Sequence, residues 1–208
     1  MGILSSSVSV TQYRVEGSIE KSFLENVANA LTENAIREID NEPEQQSVGW
    51  TSFESPFKPD FGGSSFMYGT HLLFSLRIDK KSIPSKVIVK HLNMAVNKRL
   101  AQSDHKTLHK NEKSEIKDEV LRRLYLRVPA TPNIYDLIWN YEQKILWFFT
   151  NLKAANEELE TLFSKTFKLS LIRMFPYTAA DLACGLSGSQ RDNLTKLSPT
   201  RFYRGQHA

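Results

Sequence analysis

The sequence has a single cysteine, Cys184. No disulfide can therefore close within the chain, and no thiolate-rich metal site can be assembled, which fits a reducing compartment and an expected cytoplasmic location. An apolar run near the roughly 20 residues that a membrane span requires is also missing. The first sixteen residues lack a basic start and an unbroken apolar core: Ser5, Ser6 and Ser7 lead into an alternating Val8 and Val10, which excludes a secretory signal. Low-complexity stretches and internal repeats are lacking too. What remains, over 208 residues, is 40% hydrophobic, 11% aromatic and 24% charged. That is the composition of a globular protein long enough for one core and an excursion from it.

The net charge of +4 is mild, but it is unevenly spread. Residues 79–128 hold thirteen Lys/Arg (Lys80, Lys81, Lys86, Lys90, Lys98, Arg99, Lys106, Lys110, Lys113, Lys117, Arg122, Arg123 and Arg127) against six acids, a local charge of +7. Elsewhere fourteen cations face seventeen acids, a charge of −3. A basic region on a slightly acidic body suggests a surface for a polyanion. No zinc finger, recognition-helix pair or aromatic single-strand platform accompanies it, so cations dispersed in this way imply phosphate contact without base readout. The alternatives are that these charges are simply the solvated faces of exposed helices, or that the chain is a protein-interaction module without DNA binding.

Periodicity places the basic segment. A first strand is expected over Ser7–Val15. Ile19, Phe23, Val27, Ala30, Leu31 and Ala35 then recur at helical spacing, and Pro43 marks the latest point at which that helix ends. Strands follow at Ser47–Phe53 and Tyr68–Ile78, separated by a loop containing Pro56, Pro59, Gly62 and Gly63. Pro84 opens a helix, with Ser85 as its candidate cap. Ile88, Leu92, Ala95 and Val96 lie on one side of that helix, opposite Lys86, Lys90, Asn93 and Asn97. A second helix over Asn111–Leu124 carries an apolar stripe of Ile116, Val120, Leu121 and Leu124; its opposite face is mixed, and Lys113 and Lys117 lie near the stripe. Strand alternation over Ile134–Tyr141 and Ile145–Thr150 reads as a hairpin. Leu152, Ala155, Leu159, Leu162 and Phe163 mark another amphipathic helix, and Leu169–Arg173 a last strand. Past Pro176 a short helix at best is expected, then a polar, basic end with Arg201 and Arg204.

The expected fold is α+β: an antiparallel sheet body with amphipathic helices, mirrored halves at 1–79 and 132–178, a basic helical insertion at 80–131, and a tail at 179–208.

Several patterns invite a catalytic reading. Pro59-Asp60, followed by Asp79-Lys80-Lys81 at a strand end, has the bare form of a Mg²⁺-dependent nuclease, with Asp60 and Asp79 holding the metal and Lys81 assisting water. The pattern is degenerate, and a loop aspartate beside an ordinary charged turn is the preferred reading. His105 and His109 have i, i+4 spacing, but no third ligand is visible and they read as polar residues in a bend. Gly62-Gly63-Ser64-Ser65 lacks the ending of a phosphate loop. Trp50, Trp139 and Trp147 alternate within strands, as packing residues do. No cofactor and no metal are expected.

Three stretches carry a family resemblance. Ile83-Pro84-Ser85-Lys86-Val87-Ile88 resembles the Leu-Pro-Ser-x-Val-Ile segment that leads into the basic helix of the RdgC family. The run from Lys110 to Leu121 is similar to that family's Lys-x-Glu-Lys-x-x-Leu-Lys-Asp-Glu-Val-Leu, and is the most specific of the three. Gly49-Trp50 looks like the family's Gly-Trp, and Trp139 to Phe149 follows its hairpin without a gap. The likeness spans about Val10 to Pro176, and the chain ends where the family's C-terminal third would begin, as a short or truncated member would. The resemblance implies a cytoplasmic, nucleoid-associated bacterial protein. It would bind double-stranded DNA with little sequence preference as a ring-like homodimer, without catalysis, and restrain the loading of a recombinase. Where the family has Leu-Leu-Pro-Arg-Ala-Phe, this chain has Leu124-Tyr125-Leu126-Arg127-Val128-Pro129, so the aromatic that can help close the ring is absent from its expected place.

Overall fold

The computed structural model of the chain describes residues 2–17, 23–63, 65–102 and 107–198. Strand β1 (Thr11–Glu16) alternates buried and exposed positions and directs Tyr13 and Val15 into the core. Helix α1 (Phe23–Glu33) leads to β2 (Gln46–Thr51), the two-residue β3 (Met67–Tyr68) and β4 (His71–Lys80). Two helices follow, α2 (Ser85–Ala101) and α3 (Lys110–Tyr125), then β5 (Thr131–Asn140), β6 (Ile145–Phe148), α4 (Lys153–Phe167) and β7 (Ser170–Arg173). The strands form one antiparallel sheet in the order β2-β4-β5-β6-β1-β7, with β3 paired to β4. Helices α1 and α4 lie on one face, where Val27, Leu31, Leu159 and Phe163 pack with Leu72, Phe74, Leu137, Trp139 and Phe148. The α+β class read from periodicity is the class observed.

The aromatic residues of the strands sit where packing predicts. Trp139 is fully buried among Phe23, Phe163 and Phe167, with ring centroids 5.0–5.2 Å away, and its indole N–H has no hydrogen-bond partner among the described residues. Trp50, also fully buried, donates from Nε1 to Thr166 Oγ1 at 2.9 Å.

The structure departs from the periodicity in four places. Helix α1 stops at Glu33, within the limit set by Pro43 but short of Ala35, because the chain turns to pair with β2: Trp50 N donates to Asn34 O and Ile36 N to Trp50 O, both at 2.9 Å. Gly49 makes this approach possible, since a Cβ there would lie 2.4 Å from Ile36 N. Second, β3 forms a small hairpin with β4 through Gly69, which adopts φ +62°. Third, two helices follow β7 in place of one, α5 (Pro176–Cys184) and α6 (Gly188–Lys196), separated by Gly185 in the left-handed region at φ 56°. Fourth, β1 lies between β6 and β7, so the N-terminal strand is flanked by strands from the far end of the sequence.

The insertion leaves and rejoins the sheet at one place. Lys80 at the end of β4 pairs with Thr131 at the start of β5, so α2 and α3 grow from the adjacent ends of two neighbouring strands. They pack on each other as a helical hairpin, and no residue of α2 is buried.

Candidate nucleic-acid interface

Helix α2 begins after Pro84, which occupies the N-cap position, so Ser85 is its first residue and not its cap. It contains Lys86, Lys90, Lys98 and Arg99 and no acid at all. Helix α3 mixes five cations with four acids; its three lysines lie apart from its three glutamates, Asp118 falls between the two groups, and Arg122 and Arg123 flank the glutamates. At 100° per residue, Lys110, Lys113 and Lys117 fall within about 60° of arc, and Glu112, Glu115 and Glu119 within another ~60° on the opposite flank. The groove between the two helices shows which flank is which, since Glu112, Glu115, Ile116 and Glu119 line it together with Ala95, Arg99 and Gln102. On α2, Lys86 and Lys90 lie about 140° and 180° round from Arg99. The arm therefore has a carboxylate side, which faces Arg99, while Lys110, Lys113 and Lys117 on α3 and Lys86 and Lys90 on α2 each lie on the flank of their own helix turned away from that groove.

Of the thirteen cations predicted to form the interface, eleven are exposed: Lys80, Lys86, Lys90, Lys98, Arg99, Lys110, Lys113, Lys117, Arg122, Arg123 and Arg127. Lys106 lies outside the described residues, as does His105. Among the described residues only Arg123 in this group makes an ion pair, with Glu119 one turn before it. Lys98, Arg99, Arg122 and Arg123 occupy the last turns of their helices, where cations are favoured by the helix dipole whether or not a ligand is present. The five lysines turned away from the groove have no such structural account.

Lys81 departs from the predicted pattern. Its side chain is buried, and Nζ donates to Asp40 O at 3.1 Å, Glu42 O at 2.7 Å and Tyr125 O at 2.8 Å. An ammonium has three protons, and all three are used, so Lys81 is withdrawn from the phosphate-contacting set.

The nuclease reading meets the same obstacle. Asp79 is fully buried and accepts from Arg77 Nε at 2.8 Å and from Arg77 NH2 at 2.7 Å, a bidentate pair. Arg77 also reaches Glu38 at 2.9 Å and lies 5.4 Å from the ring centroid of Phe57. Burial on its own would weaken the guanidinium's hold on its proton, but hydrogen bonding and attraction to Asp79 and Glu38 outweigh this, and the group is held above its ordinary range. Asp60 accepts from Gly62 N at 2.9 Å in an exposed turn. Asp79 and Lys81 thus already serve structural partners, and Asp60 closes a turn. His109 precedes α3, where its backbone N–H donates to Glu112 at 2.8 Å. Among the described residues no three His, Cys, Asp or Glu side chains converge as metal ligands would.

A model of the family described as "Putative exonuclease, RdgC" matches residues 9–182. The chain belongs to the RdgC family. The match takes in the whole sheet, the α2–α3 arm and most of α5. Family membership supports a nucleic-acid-associated role connected with recombination. No curated protein matches the chain. No helix among the described residues of this RdgC-family chain is long and apolar enough to cross a membrane.

Proposed function

We propose that this protein binds double-stranded DNA, without sequence preference and without catalysis, through the lysines of the α2–α3 arm that are turned away from its groove. The observation that carries the reading is the separation of Lys86, Lys90, Lys110, Lys113 and Lys117 from the groove glutamates Glu112, Glu115 and Glu119, with these five lysines exposed and without an ion pair among the described residues. Phosphates on a duplex need cations at intervals along a surface, and this arrangement supplies them while offering no side chain placed to read base edges. With five such contacts, log affinity should fall against log salt with a slope of about −4.5. The resemblance adds a homodimer, a nucleoid location and antagonism toward a recombinase to the proposal.

The test is a salt-titrated binding measurement on several unrelated duplexes of equal length, run beside a mass measurement in solution and an incubation with Mg²⁺. Equal affinities, a slope near that value and intact DNA support the reading. A flat salt response would sink it, and Mg²⁺-dependent shortening of the duplex would replace it with the nuclease that the family's description names.

A further inference from the structure

The α2–α3 hairpin is a lever whose direction is set at its root. With seventeen residues in α2, the lever is about 25 Å long, and a tilt of ~10° at the root moves its tip by about 4 Å. A displacement of that size is enough to separate an ammonium from a phosphate oxygen. No residue of α2 is buried and in α3 only Val120 and Leu124 near its end are, so the angle depends on those two side chains and on what holds the chain as it leaves at Lys81 and returns at Ala130.

Both sides of the root are tied to Asp40. Its carbonyl accepts from Lys81 Nζ at 3.1 Å, and its side-chain Oδ1 accepts from Ala130 N at 2.8 Å. Lys81 Nζ also reaches Glu42 O on the same segment and Tyr125 O at the last residue of α3, while the Lys81 backbone N–H donates to Gln45 O at 2.8 Å. The lysine thus bridges body and arm through charge-assisted bonds, roughly twice as strong as neutral ones. The Asp40 segment is itself seated in the body, by the buried Ile39 and by Glu38 on Arg77.

We propose that Asp40 and Lys81 form a clamp that sets the angle of the arm on the sheet, and that duplex affinity depends on this angle. Lys81 is then a positioning residue that acts through the lysines of the arm. The second half of the proposal rests on the duplex-binding reading; the first half does not.

The test separates the two. In a Cys184→Ser background, spin labels at Ala101→Cys on the arm and Ser164→Cys on α4 report the distance between arm and body. The native protein and Asp40→Asn, whose amide oxygen still accepts from Ala130 N, should give the same narrow distribution. Asp40→Ala and Lys81→Met should broaden it, lowering duplex affinity about 10-fold at fixed salt while leaving the salt slope unchanged. Narrow distributions in both broken variants overturn the clamp. So does a Lys81→Met protein with a narrow distribution and a salt slope reduced by about 0.9, because Lys81 would then be a phosphate contact itself. If Lys81→Met does not fold, the comparison of Asp40→Ala with Asp40→Asn decides. If the native protein binds no duplex, the DNA reading falls and the distance distributions alone judge the clamp.

Discussion

Replacing Lys110, Lys113 and Lys117 together by glutamine removes three of the five lysines turned away from the groove of the arm while keeping helix propensity nearly constant. Each phosphate contact contributes about −0.9 to the slope of log affinity against log salt, so the slope should move from about −4.5 to about −1.8. Between 50 and 200 mM salt, the native protein should lose roughly 500-fold in affinity and the triple variant only about 10-fold. The comparison that gives this its force is Arg99→Gln with Arg123→Gln, which removes two formal charges from the carboxylate side of the same hairpin. If charge sorting governs binding, that double variant keeps the native slope to within about half a unit. Fluorescence anisotropy on one labelled duplex, with helicity checked by circular dichroism, is sufficient. Equal loss of slope in both variants would mean that net charge and not its placement matters, and the assignment of binding to the lysines away from the groove would be wrong.

Four further outcomes follow from the body. Asp79→Ala leaves the Arg77 guanidinium buried beside Glu38 alone and should cost about 3–5 kcal/mol in urea unfolding, as expected when one partner of a buried ion pair is removed. Gly49→Ala forces a methyl against the backbone at Ile36 and should cost about 1–3 kcal/mol, visible as a lower midpoint with an unchanged m-value. Trp139→Phe removes an indole N–H that has no partner among the described residues, and should cost far less than Trp139→Ala, for which about 3–5 kcal/mol is expected. The Tyr13 phenol is held above its usual range, first by burial and then by its hydrogen bond to Glu160, with Arg173 opposing. The unfolded chain releases this proton near pH 10 while the folded one retains it, so stability falls as pH rises above about 10, and Tyr13→Phe should blunt that alkaline loss.

Much of the arm was legible in the sequence because its two helices are stabilised locally. Pro84 marks the start of α2, and the stripe of Ile116, Val120 and Leu124 defines α3 to within about a residue at each end. Elements decided by distant partners were not legible. Helix α1 yields to the pairing of Asn34 and Ile36 with Trp50, although Ala35 still fits its apolar spacing. Lys81 looks like any other cation of the basic run, since its three acceptors come from residues about forty positions away on either side. Asp40 was missed for the same reason: one of its two bonds uses a backbone carbonyl, which carries no residue-type signal. The two-sidedness of α3 is a different matter. It was present in the spacing of Lys110, Lys113 and Lys117, but only the groove with Arg99 showed which flank the carboxylates face.

The position of β1 has a consequence for how the molecule is made. Its neighbours are Leu146 on one side and Arg173 on the other, opposite Tyr13 in both registers. During translation at about 5–20 residues per second, the first strand waits on the order of ten seconds or more before anything exists for it to pair with. Throughout that interval a ribbon destined for the middle of a sheet has two unsatisfied edges. The nascent chain is accordingly most vulnerable to aggregation and to chaperone capture early in synthesis, and the last strand to emerge locks the first one in place.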